Sequence, residues 1–275
     1  DFKNTVDSFS PDLLALSTTE DMFHLGLSLL KSLKGQRPLT IAGGVFPTFA
    51  PELVLSFDEI DIVCKGEGEV ALSELCKRLE LKKDFTDIPN IWTVKNGEVV
   101  KNELSMIDMN DNPLIDLSLF EEARFYRPMG GKVYRMFPVE THRGCPYKCA
   151  FCNSPSQMML YKEEASTNYL RRKNFENMRR ELLFYKNEMK AEYLYFWADT
   201  FFSWKKHEFD EFCELYSDIN LPFWCQTRIE TVNKERFQKL KDIQGRWSWY
   251  IILLSRLATA ISLFDIENIT QDENK

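Results

Sequence analysis

The sequence predicts an α/β fold in two parts, a partial doubly wound (Rossmann-like) domain followed by a partial (β/α) barrel. Three observations carry that reading. Apolar runs ending on small residues alternate with amphipathic stretches over residues 1–85, a hairpin signal and an aperiodic stretch occupy 86–130, and a second alternating series fills 131–243. Strands separated by helices at this spacing form parallel sheets with right-handed crossovers.

In the first series DLLALS (Asp12 to Ser17) reads as a strand. TTEDMFHLGLSLLKSLKG follows as a helix, with threonines as capping candidates and Met22, Leu25, Leu29 and Leu33 at helical spacing, ending near Gly35. LTIAGG repeats the strand and stops on Gly43 and Gly44; PELVLSF is a short helix, IDIVCKG a third strand and EGEVALSELCKRLE a third helix. Ligands of such sheets sit at the carboxyl ends of the strands, where Ser17, Gly43, Gly44 and Glu67 all fall. The glycines there either let a backbone approach a ligand or only close tight turns. NIWTVKNGEVVKN then places two alternating runs around Asn96 and Gly97, a strong hairpin signal. Residues 103–130, rich in acids, Asn and Pro without a period, read as a linker and a domain boundary.

The second series opens with YRMFPVE (Tyr134 to Glu140), a strand that runs into the loop THRGCPYKCAFCNSPSQ. Asn174 is positioned to cap a helix whose Phe175, Met178, Leu182, Tyr185 and Met189 share one face. YLYFWAD is a strand ending at Asp199, HEFDEFCELYSDI a helix, and PFWCQTRIE a strand with Arg228 and Glu230 just past its end. If these strands curl as in a barrel, the loop, Asp199, Arg228 and Glu230 gather at the carboxyl mouth, where such folds keep their active sites.

Composition narrows the function classes. At 44% hydrophobic residues the chain can bury a sizeable core. A net charge of -7 without a Lys/Arg cluster leaves no footprint for a nucleic-acid backbone, so no stable nucleic-acid partner is expected. The seven cysteines are odd in number and scattered, and no signal peptide opens the chain. A reducing, cytoplasmic setting is therefore expected in place of a disulfide framework. The opening DFKNT, without Met, reads as a processed or cut-out piece.

Cys145, Cys149 and Cys152 share one short loop with no fourth cysteine near. Clustered thiolates suit zinc or iron-sulfur clusters, and Gly144 and Pro146 favour an irregular loop that can fold around one centre. A cubane has four irons, so three cysteines leave one iron open. An open metal position can bind and polarise a substrate or cofactor, as a closed structural site cannot. The alternative is a zinc site completed by His142.

Cys145-x3-Cys149-x2-Cys152, with Phe151 before the last cysteine, resembles the signature of radical S-adenosylmethionine enzymes. LALS, AGGVFPTFAPE and CKGEGE, followed by a hairpin, an acidic linker and the cysteine loop, are similar to the members of that family with a cobalamin (B12)-binding domain. The similarity covers residues 10–243. It implies that Cys145, Cys149 and Cys152 hold a [4Fe-4S] cluster whose open iron takes S-adenosylmethionine, cleaved reductively to a 5'-deoxyadenosyl radical. It also implies that Phe151 packs by the adenine, that Asp199 and Arg228 contact S-adenosylmethionine, and that Ser17, Gly43, Gly44 and the loop around Glu67 line cobalamin. The competing roles are a helix-capping Asp199 and a surface ion pair of Arg228 with Glu230. Methyl transfer to an unreactive centre, an unknown substrate and a reductant protein such as flavodoxin or ferredoxin follow from the same resemblance.

Several features depart from that family. Only three βα units precede the hairpin, where a doubly wound fold has about five or six strands, and no D-x-H-x-x-G element exists; His24 falls within a helix pattern with a structural role. Residues 244–275 form an atypical tail in place of a Gly-rich fourth strand, with an apolar run at 247–264 near the lower limit for a membrane span. A truncated or frame-altered tail is expected there, and no membrane partner. About 140 residues follow residue 133, whereas a full barrel takes about 250, so a half-built barrel is expected. Two other functions stay open: a non-catalytic iron-sulfur or corrinoid-binding module, whose incomplete barrel cannot shield a radical from water, and a cobalamin-independent radical S-adenosylmethionine enzyme such as a methylthiotransferase.

Overall fold

A computed structural model describes residues 2–33, 37–244, 250–254 and 260–261. The chain divides into two compact units, Asp1–Asp108 with Tyr161–Thr167, and Met109–Leu160 with Asn168–Lys275.

The first unit runs α1 (Phe2–Phe9), β1 (Leu13–Ser17), α2 (Glu20–Lys31), β2 (Leu39–Gly43), α3 (Val45–Phe49), α4 (Pro51–Leu55), β3 (Ile62–Cys64), α5 (Glu69–Glu80), β4 (Ile91–Lys95) and β5 (Glu98–Val100). Its sheet has the order β1-β2-β3-β4-β5, with β1, β2 and β3 parallel and the last two strands antiparallel. The hairpin expected between the domains is thus the edge of the first sheet. Because side chains alternate across a strand, Leu14, Leu16, Ala42, Val63 and Trp92 pack with Phe23, Leu27 and Leu30 of α2 and Val54 of α4. Leu13, Ile41, Ile62, Cys64 and Ile91 pack instead with Ala71 and Leu75 of α5. Helices on both faces make this a partial doubly wound sheet.

The buried side of α2 differs from the stripe read in the sequence. Phe23, Gly26, Leu27 and Leu30 are buried, while Met22, Leu25 and Leu29 are exposed. The helix carries two apolar stripes. The one bearing Phe23 is buried because that ring packs against Phe46 and Phe57, with centroids 5.0 and 5.3 Å away. His24 lies on the exposed side of the same helix.

In the second unit, 3-10 turns at Leu117–Leu119 and Glu122–Phe125 lead into β6 (Tyr126–Met129) and β7 (Lys132–Glu140). Then come β8 (His142–Arg143), α6 (Ser154–Glu164), β9 (Arg171–Arg172), α7 (Phe175–Asn187), β10 (Tyr193–Trp197), α8 (Lys206–Ser217), β11 (Phe223–Arg228), α9 (Lys234–Gln244), β12 (Tyr250–Leu254) and β13 (Ala260–Ile261). The sheet order is β13-β12-β11-β10-β7-β6, with β7, β10, β11 and β12 parallel and both edge strands antiparallel. Part of the expected linker is therefore folded: β6 pairs with β7, and Leu117 and Phe125 join the core.

Phe137, Val139, Leu194, Phe196, Phe223 and Cys225 point from the strands into a core shared with α7 and α8. Asn174 caps α7, accepting from the Asn177 N–H at 2.8 Å. Met136, Pro138, Tyr195, Trp197 and Trp224, of opposite strand parity, line a groove of about 720 Å³. Parallel strands with helices packed on one face form part of a (β/α) barrel. β12 continues the sheet beside β11, with Tyr250 opposite Trp224 and Leu254 opposite Arg228. Apart from β13, the remainder of the atypical tail lies outside the described residues. Among the described residues no helix is long and apolar enough to cross a membrane.

Phe196 is fully buried, with its ring centroid 4.9 to 5.7 Å from those of Phe201, Phe212, Tyr216 and Phe223. Phe196→Ala is expected to cost about 3–5 kcal/mol, read as a lower denaturation midpoint followed by tryptophan fluorescence.

Candidate functional site

β8 pairs antiparallel with β9, His142 opposite Arg172 and Arg143 opposite Arg171, and so closes the base of the excursion that carries the cysteines. Gly144 enters the loop at φ +85°, where an added Cβ would lie 3.0 Å from Leu170 Cα and 3.2 Å from Leu170 N. Both the conformation and the space call for glycine. Further on, the Cys152 N–H donates to the Cys149 carbonyl at 3.1 Å, curling the loop just before α6.

The carboxyl ends of β7, β10 and β11 bring the flagged residues to this loop. Cys145 is buried, with its sulfur 3.5 Å from Thr200 Oγ1. Burial pushes its thiol pKa up, opposed by the Thr200 hydrogen bond. Cys149 and Cys152 are half-buried, and Phe151 is 61% exposed. Arg228, the last residue of β11, is buried at 5% exposure. Its Nη1 donates to Cys149 Sγ at 2.6 Å, its Nη2 donates to Glu230 Oε1 at 2.6 Å, and its guanidinium lies 4.4 Å from the Tyr147 ring centroid. Burial works against the Arg228 charge, but the Glu230 hydrogen bond and the field of Cys149 outweigh it and hold the pKa above the ordinary arginine value. The pair with Glu230 thus forms on a buried guanidinium that also reaches a cysteine, not as a surface pair. Asp199 is exposed and accepts a hydrogen bond from the Ser154 hydroxyl at the start of α6.

The donor set suits an iron-sulfur cluster. Three thiols share one loop, a cationic donor sits on one sulfur, and Arg228 Nε is a buried N–H without a partner among the described residues, able to meet an added acceptor. Among the described residues no three His, Cys, Asp or Glu side chains converge as a cage for a single ion. A cubane does not require that, since each thiolate meets its own iron. The zinc alternative through His142 is not supported by the geometry. That ring is 2% exposed, with Nδ1 3.0 Å from Thr141 Oγ1 and Nε2 3.4 Å from Ser203 Oγ, so both nitrogens face hydroxyls.

In the first unit Ser17 is exposed and sits opposite Gly43 in the β1–β2 register. Gly44 adopts φ +98° and ψ -166°, and an added Cβ would lie 2.7 Å from the Thr18 carbonyl oxygen. Thr48 Oγ1 donates to the Gly44 carbonyl at 2.7 Å and accepts the Gly66 N–H at 3.0 Å, tying the ends of β2 and β3 together. Glu67 lies in the loop between β3 and α5. It is buried, its carboxylate accepts the Ile107 N–H at 3.1 Å, and its own N–H donates to the Tyr161 hydroxyl at 3.1 Å. The Ile107 backbone holds its carboxylate and the Tyr161 side chain its N–H inside the unit.

Sequence reasoning missed Tyr147, Ser154 and Thr200, which contact Arg228, Asp199 and Cys145. Their nearness to flagged residues in the chain was the available signal. It also missed Lys65, buried with its ammonium 2.6 Å from Glu164 Oε2 and 4.8 Å from the Trp92 ring centroid. No local signal joins residues 99 positions apart.

Residues 1–76 match the family model of the B12 binding domain. Over 251 residues, 88% of this chain and 51% of the relative, the sequence is 25% identical to uncharacterized methyltransferase PH0819 of Pyrococcus horikoshii. Over 161 residues, 54% of this chain and 23% of the relative, it is 32% identical to the cobalamin-dependent radical SAM methyltransferase TokK of Streptomyces tokunonensis. The structure of the radical S-adenosylmethionine methyltransferase TsrM from Kitasatospora setae superposes with a TM-score of 0.63 at 14% identity, over 89% of this chain and 49% of that one, and shows the same fold. The matches span about half or less of each relative's length. The chain is similar to cobalamin-binding-domain radical S-adenosylmethionine enzymes, the family its cysteine loop and front domain resemble.

Burial and the nearby Arg172 charge push the His142 pKa from 6.5 down to about 3. A folded-state value below the unfolded one means that protonation favours unfolding. The stability this group contributes is fully present above pH 6.5 and is lost as pH falls toward 3, at about 1.4 kcal/mol per pH unit. Denaturant midpoints at pH 7 and pH 5 are expected to show that loss in the wild type, with a shallower pH slope in His142→Gln.

Proposed function

We propose that this chain forms the cluster-binding and corrinoid-binding portion of a radical S-adenosylmethionine enzyme that transfers a methyl group to an unreactive centre. The observation that carries the reading is the three-thiol loop at the carboxyl ends of parallel strands, with Arg228 on Cys149, in a chain whose residues 1–76 match the B12 binding domain. PH0819 and TokK are both named as methyltransferases, and TsrM has been solved with cobalamin and a [4Fe-4S] cluster bound. Cys145, Cys149 and Cys152 would hold the cluster, which supplies one-electron chemistry and an open iron to S-adenosylmethionine.

The chain's own residues divide the remaining work. Buried Cys145 roots the loop against Thr200, and Arg228 fixes Cys149. Asp199, held by Ser154, presents a carboxylate at the mouth that can accept from an amine or a ribose hydroxyl. In the first unit Ser17, Gly43 and Gly44 lie at the carboxyl ends of β1 and β2, where ligands of parallel sheets bind. All seven cysteines are free, which suits a reducing compartment and an external reductant protein of the flavodoxin or ferredoxin kind.

Anaerobic purification with iron, sulfide, zinc and cobalamin assays tests the reading. About four irons per chain, lost in Cys149→Ala, together with bound cobalamin and 5'-deoxyadenosine formation after reduction, are the expected results. Stoichiometric zinc with little iron overturns it. Gly44 occupies a region of backbone space that is essentially confined to glycine, so Gly44→Val adds about 1–3 kcal/mol of strain. That variant is expected to retain cobalamin about tenfold less well with its iron content unchanged, measured by absorbance and iron assay on one sample.

A further inference from the structure

Arg228 touches the cysteine loop at two points. Nη1 donates to Cys149 Sγ at 2.6 Å, and the guanidinium lies over Tyr147, which stands between Cys145 and Cys149 in the chain. Nη2 is anchored on Glu230 at 2.6 Å, so the fork cannot swing away from the sulfur without breaking a charged hydrogen bond. The side chain projects from the end of β11, a strand held in register by β10 and β12, and is 5% exposed. A planar fork suits this double duty, whereas a lysine ammonium could not make the same stacked, two-armed contact. The buried Nε, without a partner among the described residues, is a third donor that an arriving anion would satisfy.

We propose that Arg228 is the positioning residue of the cysteine loop: it holds Cys149 in place for the cluster and then keeps an N–H···S hydrogen bond to that ligating sulfur, which makes the cluster easier to reduce. The inference rests on the cluster reading above. Reduction adds negative charge to a cluster, and a cation with a hydrogen bond to one of its sulfurs stabilises the reduced form. Hydrogen bonds to the sulfurs and net charge are among the determinants of cluster potential. Partners that orient a metal ligand are worth about 10–100-fold in metal affinity.

The test compares the full chain after anaerobic reconstitution with R228Q, R228K and the control R179Q, which removes a surface pair between Arg179 and Asp218. Iron retention under chelator challenge, midpoint potential from an EPR-monitored redox titration and thermal melting are read on each. R228Q is expected to lose its cluster at about 10–100-fold lower chelator concentration and to titrate at a more negative potential. R228K is expected to recover part of the potential through its charge, and R179Q to match the wild type. A potential in R228Q and R228K equal to that of the wild type overturns the inference, even if both variants melt earlier, because a merely structural role would do the same. Equal cluster loss in R179Q and R228Q also overturns it. A wild type that takes up no four-iron cluster removes the proposed function and this inference together; a wild type that takes it up isolates the failure to Arg228. Should R228Q fail to fold, the potential of R228K decides alone.

Discussion

The parallel pairing of β7, β10 and β11 over a single layer of aromatic rings is the constraint on which the second unit depends. Phe196 lies opposite both Val139 and Cys225 in the two flanking strands, and all three side chains are buried. Slipping any of these strands by one residue would turn its buried set to the other face. The register therefore also fixes where each strand ends. Glu140 lies opposite Trp197, Asp199 follows two residues later, and Arg228 closes β11. Parallel strands all end on one side, so side chains from distant parts of the chain meet there without any local sequence relation.

The thiols inherit their differences from that scaffold. Cys145 sits deepest, beside the Thr200 hydroxyl, while Cys149 and Cys152 are half-buried and one of them carries a guanidinium. Burial makes the Cys145 thiol resist ionisation. The loop thus combines a buried root at Cys145 with two half-buried sulfurs.

The first unit is tied together in another way. Its strand ends are joined by hydroxyl and backbone bonds from Thr48, by the Glu67 carboxylate on Ile107, and by the Lys65–Glu164 pair. Gly44 approaches the Thr18 backbone so closely that any side chain would collide with it.

The sequence by itself determined the alternation of strands and helices, the cap of α7 by Asn174, the hairpin at Asn96 and Gly97, and the three-cysteine loop. Each of these rests on residues within a few positions of one another, where periods of two and 3.6 and fixed spacings are written directly. Only the tertiary structure decided that α2 buries the Phe23 stripe, that the hairpin completes the first sheet, that β6 folds back on β7, and that Glu67 turns inward. It alone joined Arg228 to Cys149 across 79 positions. Those outcomes are choices between locally equal alternatives, settled by which ring, carboxylate or guanidinium finds partners once the sheets have formed. Chain neighbours carry no record of that competition.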